Sequence, residues 1–207
     1  MSLSVRVQAG DPDAFRILFD ENARSVYNHG FRLTGDWSTA EEITALTFLE
    51  AWRLRSRVEP DRDSLRPWLL GITTNVARNA SRAARRHRAA MTRLPAPGSV
   101  PDFVDDLVER IDDTRRTAQV RAALSRLSRA EQDVFHLCVW SGLDYAAAAV
   151  ALRVPVGTVR SRLARARKKL RKIVDQTAST EWERESRVRT TDGDRTHAVR
   201  SSQEMSQ

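Results

Sequence analysis

The sequence predicts an all-α protein: two small helical domains joined by a flexible linker. Three observations carry this. Apolar residues recur at steps of three and four over most of the chain, the spacing of one helix face, and strand-like alternation persists nowhere. Helix-start signals stand ahead of these apolar runs: Asp11-Pro12, Ser38 with Glu41, Ser128 with Glu131, and Asp144. Between the runs, Leu94-Pro-Ala-Pro-Gly-Ser-Val-Pro101 is a linker by composition.

The first helix is expected from Asp11-Pro12 to about Leu33, with Phe15, Leu18, Phe19, Val26 and Tyr27 on its apolar side, and Gly35-Asp36 ends it. Ser38-Thr-Ala-Glu41 reads as a capping box opening a second helix to about Arg55, carrying Ile43, Leu46, Leu49 and Trp52. Val58 to Asp63 is polar around Pro60 and reads as a loop. A third helix starts near Asp63 or Ser64, accepts Pro67 in its first turn, and lines up Trp68, Ile72 and Val76. That register puts Trp68 and Trp52 in a core. The far end of this helix, Arg78 to Arg88, is loaded with arginine. Domain one therefore spans 10–90, the flexible acidic linker 91–116 and domain two 117–176. Residues 177–207, rich in Thr, Ser, Arg, Glu and Gly, read as a disordered tail.

In the second domain, Ser128-Arg-Ala-Glu131 is a capping box and Ser141-Gly142 a glycine stop. Asp144 then caps an Ala-rich helix to Leu152. After a short turn comes a helix with Val159, Leu163, Ala166, Leu170 and Ile173 on one side and Ser161, Arg165, Lys168 and Lys172 on the other. No acidic residue occurs between Asp144 and Asp175, whereas a merely solvated helix usually interleaves Glu with Lys. Two helices on a short turn, the second basic outside, form a helix-turn-helix that places its second helix in a DNA major groove.

The charge layout agrees. The chain of 207 residues carries a net charge of +8, which points to a polyanionic partner. Residues 1–50 hold four Arg against eight acids, and residues 51–100 eleven Arg against three. Residues 101–125 hold four basic side chains against six acids, and residues 126–176 eleven against four. Two basic blocks separated by an acidic spacer suit a protein that grips a polyanion at two places. No apolar run approaches the roughly 20 residues of a membrane span, and the N-terminus has no signal-peptide pattern, so cytoplasmic residence without membrane insertion is expected. Cys138 is the single cysteine, excluding an intrachain disulfide, and its apolar surroundings suggest a buried structural thiol.

These residues resemble a family. The stretch from Ala123 to Leu163, ending in Gly157-Thr-Val-Arg-Ser-Arg-Leu163 with its trailing Ala-Arg repeats, resembles the promoter-binding C-terminal domain of extracytoplasmic-function (ECF) sigma factors of bacterial RNA polymerase. Ala14-Phe15 with Leu18, Ala40-Glu-Glu-Ile-Thr44, Thr47-Phe-Leu-Glu-Ala-Trp52, Trp68-Leu69, Asn75 and Arg85-Arg86 resemble their N-terminal domain. The resemblance implies a sigma factor that binds polymerase core at its clamp and flap regions, directs it to specific promoters and assists their opening. It implies no catalytic residue, metal or cofactor. For the minus-thirty-five element it implies Thr158, Arg160, Ser161, Arg162, Arg165 and Lys168, with Arg167 and Lys169 as further phosphate contacts. For the minus-ten element it implies Asn75, Arg78, Arg82, Arg85 and Arg86. For the polymerase it implies Glu41, Glu42, Thr47 and Phe48. An anti-sigma factor is a further partner that family members often have. The chain departs from the family at Ala45-Leu46, where Gln-Glu or Gln-Asp is usual. It departs again in the alanines after Tyr145 and at Arg153, which stands where a turn glycine is common and so must accept a left-handed conformation or a modified turn.

The alternative is a dimeric helix-turn-helix regulator that binds an operator without polymerase, which leaves the N-terminal motif and the first basic helix without a task. A nucleic-acid enzyme fits worse. Asp61 and Asp63 lie in a short loop with no third ligand evident, and His29, His87, His136 and His197 lack zinc spacing.

Overall fold

The computed structural model describes residues 1–60, 63–91, 120 and 122–176, with 87–91 as backbone only. The expected linker and tail lie almost wholly outside these residues. Every regular element among the described residues is helical. Helix α1 spans Leu3–Ala9, α2 Pro12–Thr34, α3 Trp37–Leu54 with a 3-10 turn Arg55–Arg57 at its end, and α4 Arg66–Met91. A short helical segment α5 (122–125) precedes α6 (Arg129–Phe135), which continues through a π-turn, His136–Trp140. Helices α7 (Tyr145–Leu152) and α8 (156–176) are the last elements among the described residues.

Local chemistry sets these boundaries. Asp11 caps α2 by accepting from the Asp13 and Ala14 amides at 2.9 and 3.3 Å, and Pro12 takes the first helical position. The capping box expected at Ser38 is not what starts α3. Asp36 does so: it follows the left-handed Gly35 that ends α2, and its carboxylate accepts from the Thr39 amide at 2.7 Å. The box at Ser128 forms as expected: Glu131 N–H donates to Ser128 Oγ at 3.4 Å and Ser128 N–H to Glu131 Oε2 at 2.8 Å. Helix α1 precedes the expected first helix. It is capped by Ser2, stopped by Gly10 at φ 81°, and tied down by Gln8 Nε2 donating to Val58 O at 3.0 Å. Its apolar residues, Leu3, Val5, Val7 and Ala9, alternate with polar ones over only seven residues, which gives no helical spacing to read in advance.

Two cores follow. Val7, Ala14, Leu18, Val26, Phe48, Ala51, Leu65, Leu69 and Ile72 fill the first, with Trp68 and Val76 packed at its edge. Val134, Leu137, Leu143, Ala148, Ala151, Val159 and Leu163 fill the second, together with Leu70. Leu70 belongs to α4. Helix α4 thus presents Leu69 and Ile72 to one unit and Leu70 to the other. The first and second helical units lie packed together along α4 and α7.

Candidate nucleic-acid interface

Helix α8 takes its orientation from its buried side. Val159, Leu163 and Ala166 are at most 1 % exposed, each contributing about 1–3 kcal/mol by apolar burial. Arg160, Ser161, Arg165 and Lys168 are therefore turned outward and exposed. The turn before α8 is made by Arg153 at φ 53°, the left-handed one of the two conformations expected there, with Val154 N–H donating to Ala149 O at 3.1 Å. A side chain in this region costs roughly 1–2 kcal/mol, which the docked α7–α8 pair offsets. Arg160 is held over the Tyr145 ring at 5.9 Å. Ser161 Oγ donates to Thr158 O at 3.1 Å, keeping this position short and close to the helix axis. Thr158 and Arg162 are half-buried.

Lys169 stands apart from this row. Its ammonium donates to both Glu131 oxygens, at 3.0 and 2.8 Å, and braces α8 against α6. Lys169 holds Glu131, joined by the Ser128 bonds, at a pKa of about 2, well below the usual carboxylate range. The phosphate role expected for Lys169 is thus replaced by an internal one.

On α4, Asn75, Arg82, Arg85 and Arg86 are exposed. Arg78 is half-buried and ion-paired with Asp133 of α6, whose side chain is 7 % exposed. Burial lowers the Arg78 pKa, with the neighbouring charges of Arg82, Arg129 and Arg162 adding to the effect. A guanidinium nonetheless stays charged. Asn75 lies along a groove of about 720 Å³ between α3, α4 and α7, whose wall includes Leu46, Trp68, Val150 and Arg153.

On α3, Glu41 and Glu42 are exposed, but Thr47 and Phe48 are only 0 % and 6 % exposed and belong to the core. Neither can touch a partner from there, which corrects the expectation for this pair. Leu46 and Leu49, at 49 % and 62 % exposure, share the outer face instead. With Glu42 and Ala45 they follow the three-four spacing of one helix side.

The sequence reading missed a set of junction residues. His29 Nδ1 lies 3.0 Å from Ser141 Oγ and Nε2 2.9 Å from Thr74 Oγ1. Thr74 donates its hydroxyl proton to Leu70 O at 2.8 Å, so His29 Nε2 is the donor to Thr74 and Nδ1 accepts from Ser141. Burial drives the His29 pKa down to about 3 and that of His136 to about 4. Arg66 Nη2 donates to Ser141 O at 2.6 Å and Nε to Ser25 Oγ at 2.9 Å. Arg32 donates to Trp140 O. One legible signal pointed here: Gly71 interrupts an otherwise strong helical pattern, which marks a close approach. Cys138 is half-buried and its thiol pKa raised by that burial, in keeping with a structural role.

Comparison with known proteins assigns both units. Residues 18–87 match the family model of Sigma-70 region 2, and residues 117–170 that of Sigma-70 region 4. The chain is 35 % identical over 155 residues to the ECF RNA polymerase sigma factor SigE of Mycolicibacterium smegmatis, covering 74 % of this chain and 59 % of that protein. It is 31 % identical over 174 residues to the ECF sigma factor SigK of Mycolicibacterium vanbaalenii, covering 82 % of this chain and 86 % of that one. SigL of Mycobacterium tuberculosis is 28 % identical over 176 residues, covering 83 % and 95 %. Among solved structures, CnrH in complex with the cytosolic domain of CnrY aligns with a TM-score of 0.62 at 22 % identity, covering 84 % of this chain and 96 % of that one. The sigma factor RpoE of Bartonella quintana, bound to the anti-sigma factor NepR, aligns at 0.56 and 21 %, covering 78 % and 96 %. These two show the shared fold. A polymerase-independent operator regulator is not favoured, since region 2 would have no task in one. An arginine-rich recognition helix, a second basic helix and both sigma regions in order agree: the chain belongs to the ECF sigma factors, promoter-specific initiation factors of RNA polymerase.

Proposed function

We propose that this chain divides the work of initiation among three surfaces. The outer face of α3, with Glu41, Glu42, Ala45, Leu46 and Leu49, docks on the polymerase clamp. Helix α8 enters the major groove of the minus-thirty-five element. There Arg160 and Arg165 reach base edges, Ser161 permits close approach, and Thr158, Arg162 and Lys168 bind phosphates. Asn75 reads a base of the minus-ten element while Arg78, Arg82, Arg85 and Arg86 hold its backbone. The chain itself makes and breaks no covalent bond, and it works in the cytoplasm beside polymerase. No described helix is long and apolar enough to cross a membrane. The sigma-factor likenesses include complexes with CnrY and with NepR, which supports an antagonist protein as a further partner.

The observation that carries this reading is the exposed row Arg160, Ser161, Arg165 and Lys168 above a fully buried Val159–Leu163–Ala166 stripe. A helix so oriented has one side available to DNA and that side is cationic. Reconstituted transcription tests it: purified chain plus bacterial core polymerase, supplied with a library of genomic fragments, is expected to start transcripts at discrete sites. Random or absent initiation across the library would sink the reading.

A further inference from the structure

We propose that Tyr145 is a positioning residue for promoter recognition: its ring holds the Arg160 guanidinium on the outer side of α8 and leaves the guanidinium N–H groups free for a base. This rests on the reading of Arg160 as a base contact.

The place of the ring is fixed by the start of α7. Tyr145 is the first residue of that helix, and Asp144 caps it by accepting from the Ala147 amide at 2.7 Å. The ring is 36 % exposed, so the core does not claim it. Ala146, Ala147, Ala148 and Ala149 follow, none with an atom beyond Cβ. Tyr145 is therefore the large side chain of the first turn of α7. The Arg160 Cζ lies over its ring, 5.9 Å from the centroid, within reach of a cation–π contact.

No neighbour on α8 can do the same. Residues one turn away from Arg160 are Val156, Gly157, Leu163 and Ala164. Leu163 is buried, Gly157 and Ala164 are too short to steer a guanidinium, and Val156 carries no charge. No acidic residue stands between Asp144 and Asp175, and the Asp144 carboxylate is engaged as the cap. Arg165, by contrast, is tied to its own helix, Nε donating to Ser161 O at 3.3 Å. The direction of the Arg160 side chain thus depends on Tyr145.

A ring suits this task better than a carboxylate. A carboxylate engages the guanidinium through its N–H fork, the same donors that bridge guanine O6 and N7. It also repels phosphates. An aromatic face attracts the cation through its quadrupole and takes none of those donors. A free arginine side chain loses rotamer freedom on entering the groove, and restraint by the ring beforehand reduces that loss at binding.

The test uses the full chain with core polymerase, a promoter at which it starts transcripts, and competitors carrying single-base changes in the minus-thirty-five element. Arg160→Ala identifies the base pair that Arg160 reads, as the position where selectivity drops. Tyr145→Leu is expected to lower selectivity at that same position about 2- to 5-fold, the range of an exposed cation–π contact, and at no other. Tyr145→Phe is expected to keep wild-type selectivity, and Tyr145→Leu to add nothing in an Arg160→Ala background. Wild-type selectivity in Tyr145→Leu overturns the role of the ring alone. So does a loss spread evenly over all competitors, or a Tyr145→Phe chain as impaired as Tyr145→Leu, which would assign the hydroxyl instead. If Tyr145→Leu fails to fold, a fluorinated phenylalanine at this position, alike in shape but with a weaker negative face, replaces it with the same expected loss. Undiminished selectivity in Arg160→Ala removes the reading of Arg160, and the role of Tyr145 with it.

Discussion

Glu131 performs two tasks with one carboxylate: it closes the capping box of α6 through the Ser128 amide at 2.8 Å and receives the Lys169 ammonium at 2.8 and 3.0 Å. The start of α6 and the middle of the recognition helix are thereby fixed to each other. Lys169 and its neighbour Lys168 look alike in sequence, but this pairing separates them. Lys169→Met leaves a buried carboxylate without its counter-ion and is expected to lower stability by about 1–3 kcal/mol, leaving the salt dependence of DNA binding unchanged. Lys168→Met is expected to spare stability and to reduce the slope of log affinity against log salt by about 0.9. Urea denaturation with binding titrations at several salt concentrations reads both. Equal salt slopes for the two variants would contradict the assignment.

Arg165 is exposed on the outer face of α8, with its Nε donating to Ser161 O at 3.3 Å. A guanidinium that bridges guanine O6 and N7 discriminates by about 1–3 kcal/mol. Arg165→Ala should therefore flatten selectivity among minus-thirty-five variants, while Lys168→Ala weakens all of them alike. Competition binding across a set of single-base variants checks this, and selectivity loss of the same size in both would refute it.

Exposure on α3 separates docking from folding. Leu49→Asp changes a 62 % exposed residue and is expected to reduce core-polymerase binding at least about tenfold, roughly 1.4 kcal/mol, with an unchanged melting temperature. Phe48→Ala empties a core position packed between Phe15 and Phe19, whose rings lie 6.4 and 4.7 Å away, and should cost about 3–5 kcal/mol of stability. Pull-down with core polymerase alongside thermal melting distinguishes them. Normal polymerase binding by Leu49→Asp would remove α3 as the docking face.

The buried histidines give the fold an acid dependence. Their native pKa values, about 3 for His29 and about 4 for His136, lie below the unfolded value of 6.5. The unfolded chain thus binds protons that the native one refuses, and stability is complete above 6.5 and declines as pH falls toward 4 and then 3. Each histidine contributes a slope of up to about 1.4 kcal/mol per pH unit. Glu131, with its pKa lowered from 4.5 to about 2, adds its own loss only below about 4.5, so the interval from 6.5 to 4.5 isolates the histidines. Denaturant unfolding at pH 7, 6 and 5 should show falling stability for wild type and a shallower fall for His29→Gln. Parallel curves for the two proteins would exclude His29 as a cause.

The sequence by itself determined the helical class, the Asp11, Ser128 and Asp144 caps and the orientation of α8. All of these rest on contacts within a few residues, and local spacing encodes such contacts. It misplaced the start of α3 by two residues, because Asp36 and Ser38 are both good caps and only the turn at Gly35 chooses between them. Neither could it place Thr47 and Phe48 inside while Leu46 and Leu49 face outward, since all four fit a helix and the partner helices decide which side is buried. The bond from Lys169 to Glu131, the pairing of Arg78 with Asp133, and the junction of His29 with Ser141 join residues 38 to 112 positions apart. Hydrophobic period and charge type carry no record of such distant partners. Only packing α4 against α7 decided that this arginine-rich helix also serves as half of an internal interface.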